Sequence, residues 1–142
     1  MRAAIVPSAS LAALACALLL AWPASAEVVN LKAAMDAKSE VPPNSSAGTG
    51  TLTATYDTSS KKLSWKGSYS GLTGPATAAH FHSGEAGKNG PVAVPITPAT
   101  SPLEGSATLN DEQANELLAG KLYVNIHTEA NKGGEIRGQV TK

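Results

Sequence analysis

The chain has 142 residues, a formal net charge of 0 and a single cysteine. With acids and bases in balance there is no basic stripe to hold phosphates, which argues against a nucleic-acid partner. One cysteine cannot build an intrachain disulfide framework.

The N-terminal segment MRAAIVPSASLAALACALLLAWPASA reads as an export signal over residues 1–26. It has one basic residue, Arg2, then an apolar stretch from Leu11 to Trp22, then Ala24, Ser25 and Ala26 as a small-x-small cleavage site. The stretch is too short, and too soon followed by Pro23, for a transmembrane helix, which needs about 20 apolar residues. The expected mature protein is one domain over residues 27–142, periplasmic or secreted, with no membrane association after cleavage. Arg2 and Cys16 leave with the signal, so the domain carries one acid in excess and no disulfide. Packing or a bound ion then has to supply what bridges supply in smaller secreted scaffolds.

Period-two alternation runs through the rest of the chain. Val29, Leu31, Ala33 and Met35 share one face; Leu52, Ala54 and Tyr56 share another, with Thr51, Thr53 and Thr55 opposite; Leu63, Trp65 and Tyr69 continue the pattern. Turn-forming clusters such as SEVPPNSSAG, DTSSKK, GEAGKNGP and NKGG separate these runs. The expected fold is all-β, an antiparallel Greek-key-like sandwich or barrel. One short helix near residues 111–119 interrupts it: Asn110 is placed as N-cap, Gln113 completes a capping box, Gly120 stops it, and Ala114, Leu117 and Leu118 form its packed face. The last two strands, KLYVNIHT and GEIRGQV, put Leu122, Val124, Ile126, Ile136 and Val140 inward, which leaves Tyr123, Asn125, His127, Glu135 and Arg137 outward.

The stretch TAAHFHSG carries two of the three histidines. With Phe81 facing the core, His80 and His82 point outward together, about 7 Å apart at ~3.4 Å rise per residue. His127 faces the same way from its own strand. Imidazole nitrogen is the commonest ligand of copper and zinc, and three such nitrogens with one open position suit either metal. No cysteine or outward methionine accompanies them, so a blue-copper centre is not indicated. The competing reading is an ordinary solvated face whose histidines are incidental, and the choice depends on whether the two strands are neighbours.

The loop after His82 also has two readings. Gly84, Gly87 and Gly90 serve tight turns, or the loop folds over the outer face and shields an ion. In the second case Glu85 is a candidate fourth ligand or an acceptor for an imidazole N–H. Asn125 is a candidate to orient a histidine. Arg137, beside Glu135, either pairs with a carboxylate or steers an anion toward a metal. No nucleophile with a base at motif spacing, no phosphate loop and no paired acids for hydrolysis stand out, and no catalytic residue is assigned.

Three stretches, AKSEVPPNSSAGTGTLTATYD, AAHFHSGEAGKNGPVAVPI and LYVNIHTEANKGGEIRGQV, together resemble the CHRD domain from about Leu31 to Val140. The resemblance implies a compact, mostly antiparallel β domain of a kind found singly in exported bacterial proteins and linked in animal proteins to extracellular binding of growth factors. The family's His-x-His segment falls on His80 and His82, its Asn-x-His-Thr segment on Asn125, His127 and Thr128, and its Gly-Glu-Ile-Arg-Gly segment on Gly134 to Gly138. Lys132 stands where the family often has proline. A weaker likeness is to copper-zinc superoxide dismutase, in which a His-x-His pair on a β-sandwich contributes to the copper site. The chain departs from it in lacking a bridging histidine, a zinc subsite and a disulfide.

The expected function is binding of one copper ion, or alternatively zinc, through His80, His82 and His127, for metal sequestration or delivery. The alternatives are a non-catalytic module that binds a protein or glycan on its outer sheet face, and a dismutase-like redox enzyme.

Overall fold

The computed structural model describes residues 25–142. The export segment expected at residues 1–26 lies outside them, apart from its last two positions. Eight strands and one helix follow in order: β1 (Val28–Asp36), β2 (Thr49–Asp57), β3 (Lys62–Ser70), β4 (Ala76–Ser83), β5 (Val92–Pro95), β6 (Leu103–Thr108), α1 (Asp111–Leu118), β7 (Leu122–Thr128) and β8 (Ile136–Gln139). Among the described residues no helix is long and apolar enough to cross a membrane.

Strict alternation builds the first half of the domain. β1 and β2 each bury every second residue, and their register sets Val29 against Tyr56, Leu31 against Ala54 and Ala33 against Leu52. The same inward rows continue into β3 through Ala54 beside Trp65 and Tyr56 beside Leu63. A one-residue slip would turn this whole apolar set to solvent, so the pattern itself fixes the register.

All strands pair antiparallel in the order β5-β4-β7-β8-β1-β2-β3-β6, and the sheet curls into a nearly closed barrel around one core. Its two halves meet where Trp65 of β3 packs edge-on against Phe81 of β4, ring centroids 5.1 Å apart. Such pairs are favoured by the ring quadrupoles beyond their apolar burial. The path from β3 through the β4-β5 hairpin returns β6 beside β3, a Greek-key connection. Met35, 2 % exposed, fills the core as its alternation predicts.

The helix forms where its caps place it. Asn110 Oδ1 accepts from the Gln113 backbone N–H at 2.8 Å, and Gln113 Oε1 accepts from the Asn110 N–H at 3.1 Å. Gly120, with φ of 72°, ends it. Ala114 and Leu117 are buried, but Leu118, expected on the packed face, is 37 % exposed. It is the last helical residue, where the chain already turns toward β7.

β5 and β6 carry little of the alternation signal. β5 is 4 residues long and buries only Val94, while β6 places Gly105 and Ala107 at inward positions after Leu103. Short strands with small inward residues give period two almost no amplitude.

Candidate metal centre

The site begins with the register between β4 and β7, which are direct neighbours. His80 lies opposite Asn125, His82 opposite Tyr123, and His127 opposite Ala78, so His127 sits diagonally beside His80 on the same outer face. Phe81 between the two β4 histidines is fully buried and anchors the strand. A nitrogen from each of His80, His82 and His127 lies within 4.8 Å of the others. His80 Nδ1 is 3.1 Å from His127 Nε2.

Two of the rings are held in a defined tautomer. His82 Nδ1 lies 2.9 Å from the Gly90 carbonyl and His127 Nδ1 lies 2.8 Å from the Lys132 carbonyl. A carbonyl only accepts, so each Nδ1 carries the proton and each Nε2 keeps its lone pair. The His82 Nε2 is buried and has no hydrogen-bond partner in the protein. Burial and the neighbouring imidazole of His127 push the His80 pKa below its ordinary value. Burial also lowers that of His82, against the opposing pull of the Gly90 carbonyl. Both therefore stay neutral at pH 7, the form that ligates.

The donor set fits a metal ion. Two nitrogens each ~2.0–2.1 Å from one ion stand about 3.3 Å apart at the tetrahedral angle, close to the His80–His127 separation of 3.1 Å. Drawing in the third nitrogen from 4.8 Å requires a contraction of roughly 1.5 Å. Neutral imidazoles without a thiolate suit divalent copper or zinc.

The outward face of β7 and β8 is covered rather than solvated. His82 is 8 % exposed, Asn125 and Arg137 are 2 % exposed, and Glu135 is fully buried. Two segments make the cover. The loop between β4 and β5 crosses the face with Gly90 donating its N–H to the Tyr123 hydroxyl at 3.1 Å. A Cβ on Gly90 would sit 1.5 Å from the Ser83 carbonyl oxygen, so only glycine allows this approach. The segment between β1 and β2 lies beside that loop: Asn89 Nδ2 donates to the Val41 carbonyl at 2.9 Å, and Asn44 Nδ2 to the Glu135 carbonyl at 3.0 Å.

The carboxylate pair expected for Arg137 is not made with the adjacent Glu135. Arg137 donates to the Asn89 side-chain oxygen at 3.0 Å and to the Lys88 carbonyl, and its guanidinium lies 3.4 Å over the Tyr123 ring. His82 stacks on the same tyrosine at 4.8 Å with the rings nearly parallel, so Tyr123 packs against both a candidate ligand and a buried cation. Glu135 instead accepts from Ser46 Oγ at 2.6 Å, Thr128 Oγ1 at 2.5 Å, and the Thr73 backbone N–H and hydroxyl at 2.8 and 2.9 Å. Burial raises its pKa, but these hydrogen bonds outweigh it and hold the carboxyl at about 2. Glu85, considered as a fourth ligand or an acceptor for an imidazole, is instead exposed and engaged by Lys88 at 3.3 Å and Lys121 at 3.5 Å.

Asn125 stands between His82 and a residue without any spacing signal, Glu40. Glu40 is 4 % exposed, and burial raises its carboxyl to about 7 against the pull of the nearby Arg137 charge. It comes from an irregular segment whose path is set by tertiary hydrogen bonds. Only the neighbouring Pro42 and Pro43 hint at a stiff, defined course.

Eight antiparallel strands around one core, a capping helix and three convergent imidazoles define a small all-β domain able to hold a metal ion. The family model described as CHRD domain matches residues 31–140. The chain belongs to the CHRD domain family. Searches of curated proteins and of solved structures find no match.

Proposed function

We propose that the protein binds a single copper ion, with zinc as the alternative occupant, through His80, His82 and His127, and that it sequesters or delivers the metal outside the cytoplasm. The observation that carries this reading is the convergence of three imidazole nitrogens within 4.8 Å, together with the carbonyls of Gly90 and Lys132 that pre-set two of the rings. Such outer hydrogen bonds orient metal-bound histidines and raise their basicity. Half-buried His80 and His127 leave the cluster accessible from one side, as loading and unloading require. A periplasmic or secreted location accords with the signal pattern in residues 1–26.

Titration of divalent copper into metal-free protein, followed by competition with a chelator of known affinity, tests the reading. The expected result is one tight equivalent in the wild type and a large loss in His82→Ala. Equal, weak binding by both proteins would remove the basis for a metal function.

A further inference from the structure

Among the described residues, four buried side-chain polar atoms have no hydrogen-bond partner in the protein: Glu40 Oε1, Trp65 Nε1, His82 Nε2 and Asn125 Oδ1. Buried polar atoms are nearly always paired, so an orphan calls for a reason. Three of these four belong to one neighbourhood. Asn125 lies beside both the His82 imidazole and the Glu40 carboxyl. A Cβ on Gly134 would stand 2.3 Å from Glu40 Oε1 and 2.7 Å from Asn125 Nδ2, so both side chains crowd the space that this glycine leaves free. Gly134 also has φ of 129°, a conformation closed to other residues at little cost.

The chemistry of the three atoms is the same. His82 Nε2 is an acceptor because Nδ1 donates to Gly90, Asn125 Oδ1 is an amide oxygen, and Glu40 Oε1 is a carboxylate oxygen when ionised. With Glu40 ionised, these three atoms are all acceptors and cannot satisfy one another. They need a cation or a donor between them. An ion held by the three histidines satisfies His82 Nε2, and a water on that ion offers two O–H donors for the two oxygens that remain.

We infer that the fourth ligand of the metal is an exchangeable water held by Asn125 and Glu40, and that Glu40 is the positioning residue of this open coordination site. The inference rests on the metal reading above. Glu135 shows how a purely structural carboxylate looks in this fold: both of its oxygens are saturated by Ser46, Thr73 and Thr128. Glu40 has an open oxygen beside Asn125, the neighbour of the candidate ligand His82. The Arg137 guanidinium lies near enough to favour its ionised form, while Arg137 itself is engaged by Lys88 and Asn89.

The test uses the copper-loaded full protein. Solvent-proton relaxation and the broadening of the copper EPR lines in 17O-water report an exchangeable water, and both effects are expected in the wild type and abolished by added azide. Glu40→Gln is expected to bind copper on the order of ten to a hundredfold more weakly, with a shifted EPR spectrum and an unchanged circular dichroism spectrum of the metal-free protein. Copper loading without an exchangeable water overturns the inference, and so does a Glu40→Gln protein identical to wild type in affinity and spectrum. The wild-type water measurement decides the matter if the variant fails to fold. Absence of copper binding by the wild type defeats the metal reading itself.

Discussion

Glu135→Gln is the sharpest test of how the outer face is held. The glutamate lies under the segment between β1 and β2 and ties it, through Ser46, to Thr73 and to Thr128 of β7. Its carboxyl is held at about 2 in the folded protein against an ordinary value of 4.5, which corresponds to roughly 3 kcal/mol of stability at neutral pH. In the variant the amide oxygen can keep Ser46 and the Thr73 backbone N–H, but the NH2 in place of the second oxygen cannot accept, so the Thr73 and Thr128 hydroxyls must turn to accept from it and every bond loses its charge assistance. A loss of about 2 to 3 kcal/mol is therefore expected, read by urea unfolding of metal-free protein at pH 7. Because the folded pKa is depressed, this stabilisation is full above pH 4.5 and is lost as pH falls toward about 2. The wild type should lose stability across that window more steeply than the variant. A change at pH 7 within about 0.5 kcal/mol, typical of a surface site, together with superposable pH profiles, would refute the reasoning.

Other outcomes follow from the same geometry. In Glu40→Gln, which removes the carboxyl at about 7, copper affinity should hold as pH falls to 6.5 and break below it, because His80 and His82 both have pKa values lowered from 6.5; a break above 6.5 in a pH-dependent titration of that variant would contradict this. The same depression contributes a loss of stability of the metal-free fold as pH drops below 6.5, since the unfolded chain takes up those protons first, and the raised carboxyl of Glu40, which the folded protein protonates first, opposes it. Gly90→Ala forces a carbon to within 1.5 Å of the Ser83 carbonyl oxygen, so the loop must shift and take the His82 acceptor with it; chemical denaturation should show a loss of about 2 kcal/mol or more, and copper affinity should fall at least about tenfold. Glu85→Gln, by contrast, removes only exposed pairs with Lys88 and Lys121, and both the midpoint of urea unfolding and the copper affinity should match wild type.

Much of the fold was legible because the alternation of Val29, Leu31, Ala33 and Met35, and of Leu52, Ala54 and Tyr56, records which face of a strand meets the core. The helix was legible because Asn110 and Gln113 satisfy its first N–H groups locally, with no tertiary help. The grouping of His80 and His82 followed from Phe81 pointing inward. Alternation says nothing, however, about what lies on the other face. Asn125, Glu135 and Arg137 read as outward and are buried, because two irregular segments fold over them through bonds such as Asn89 to Val41 and Asn44 to Glu135. Whether His127 meets the other two histidines depended on β4 pairing with β7, a contact between strands separated by β5, β6 and the helix. Glu40 was invisible for a related reason: it lies beside Asn125 on a segment with no period, tied down by the bonds of Asn44 to Glu135 and of Asn89 to Val41.

The central claim is that three imidazoles from two neighbouring strands hold one ion. X-ray absorption on protein loaded with one equivalent of copper counts the nitrogen donors directly. The account predicts imidazole scattering from three histidines with Cu–N near ~2.0 Å, falling to two in His127→Ala. A wild-type spectrum with fewer than three imidazoles, or one that His127→Ala leaves unchanged, would contradict it.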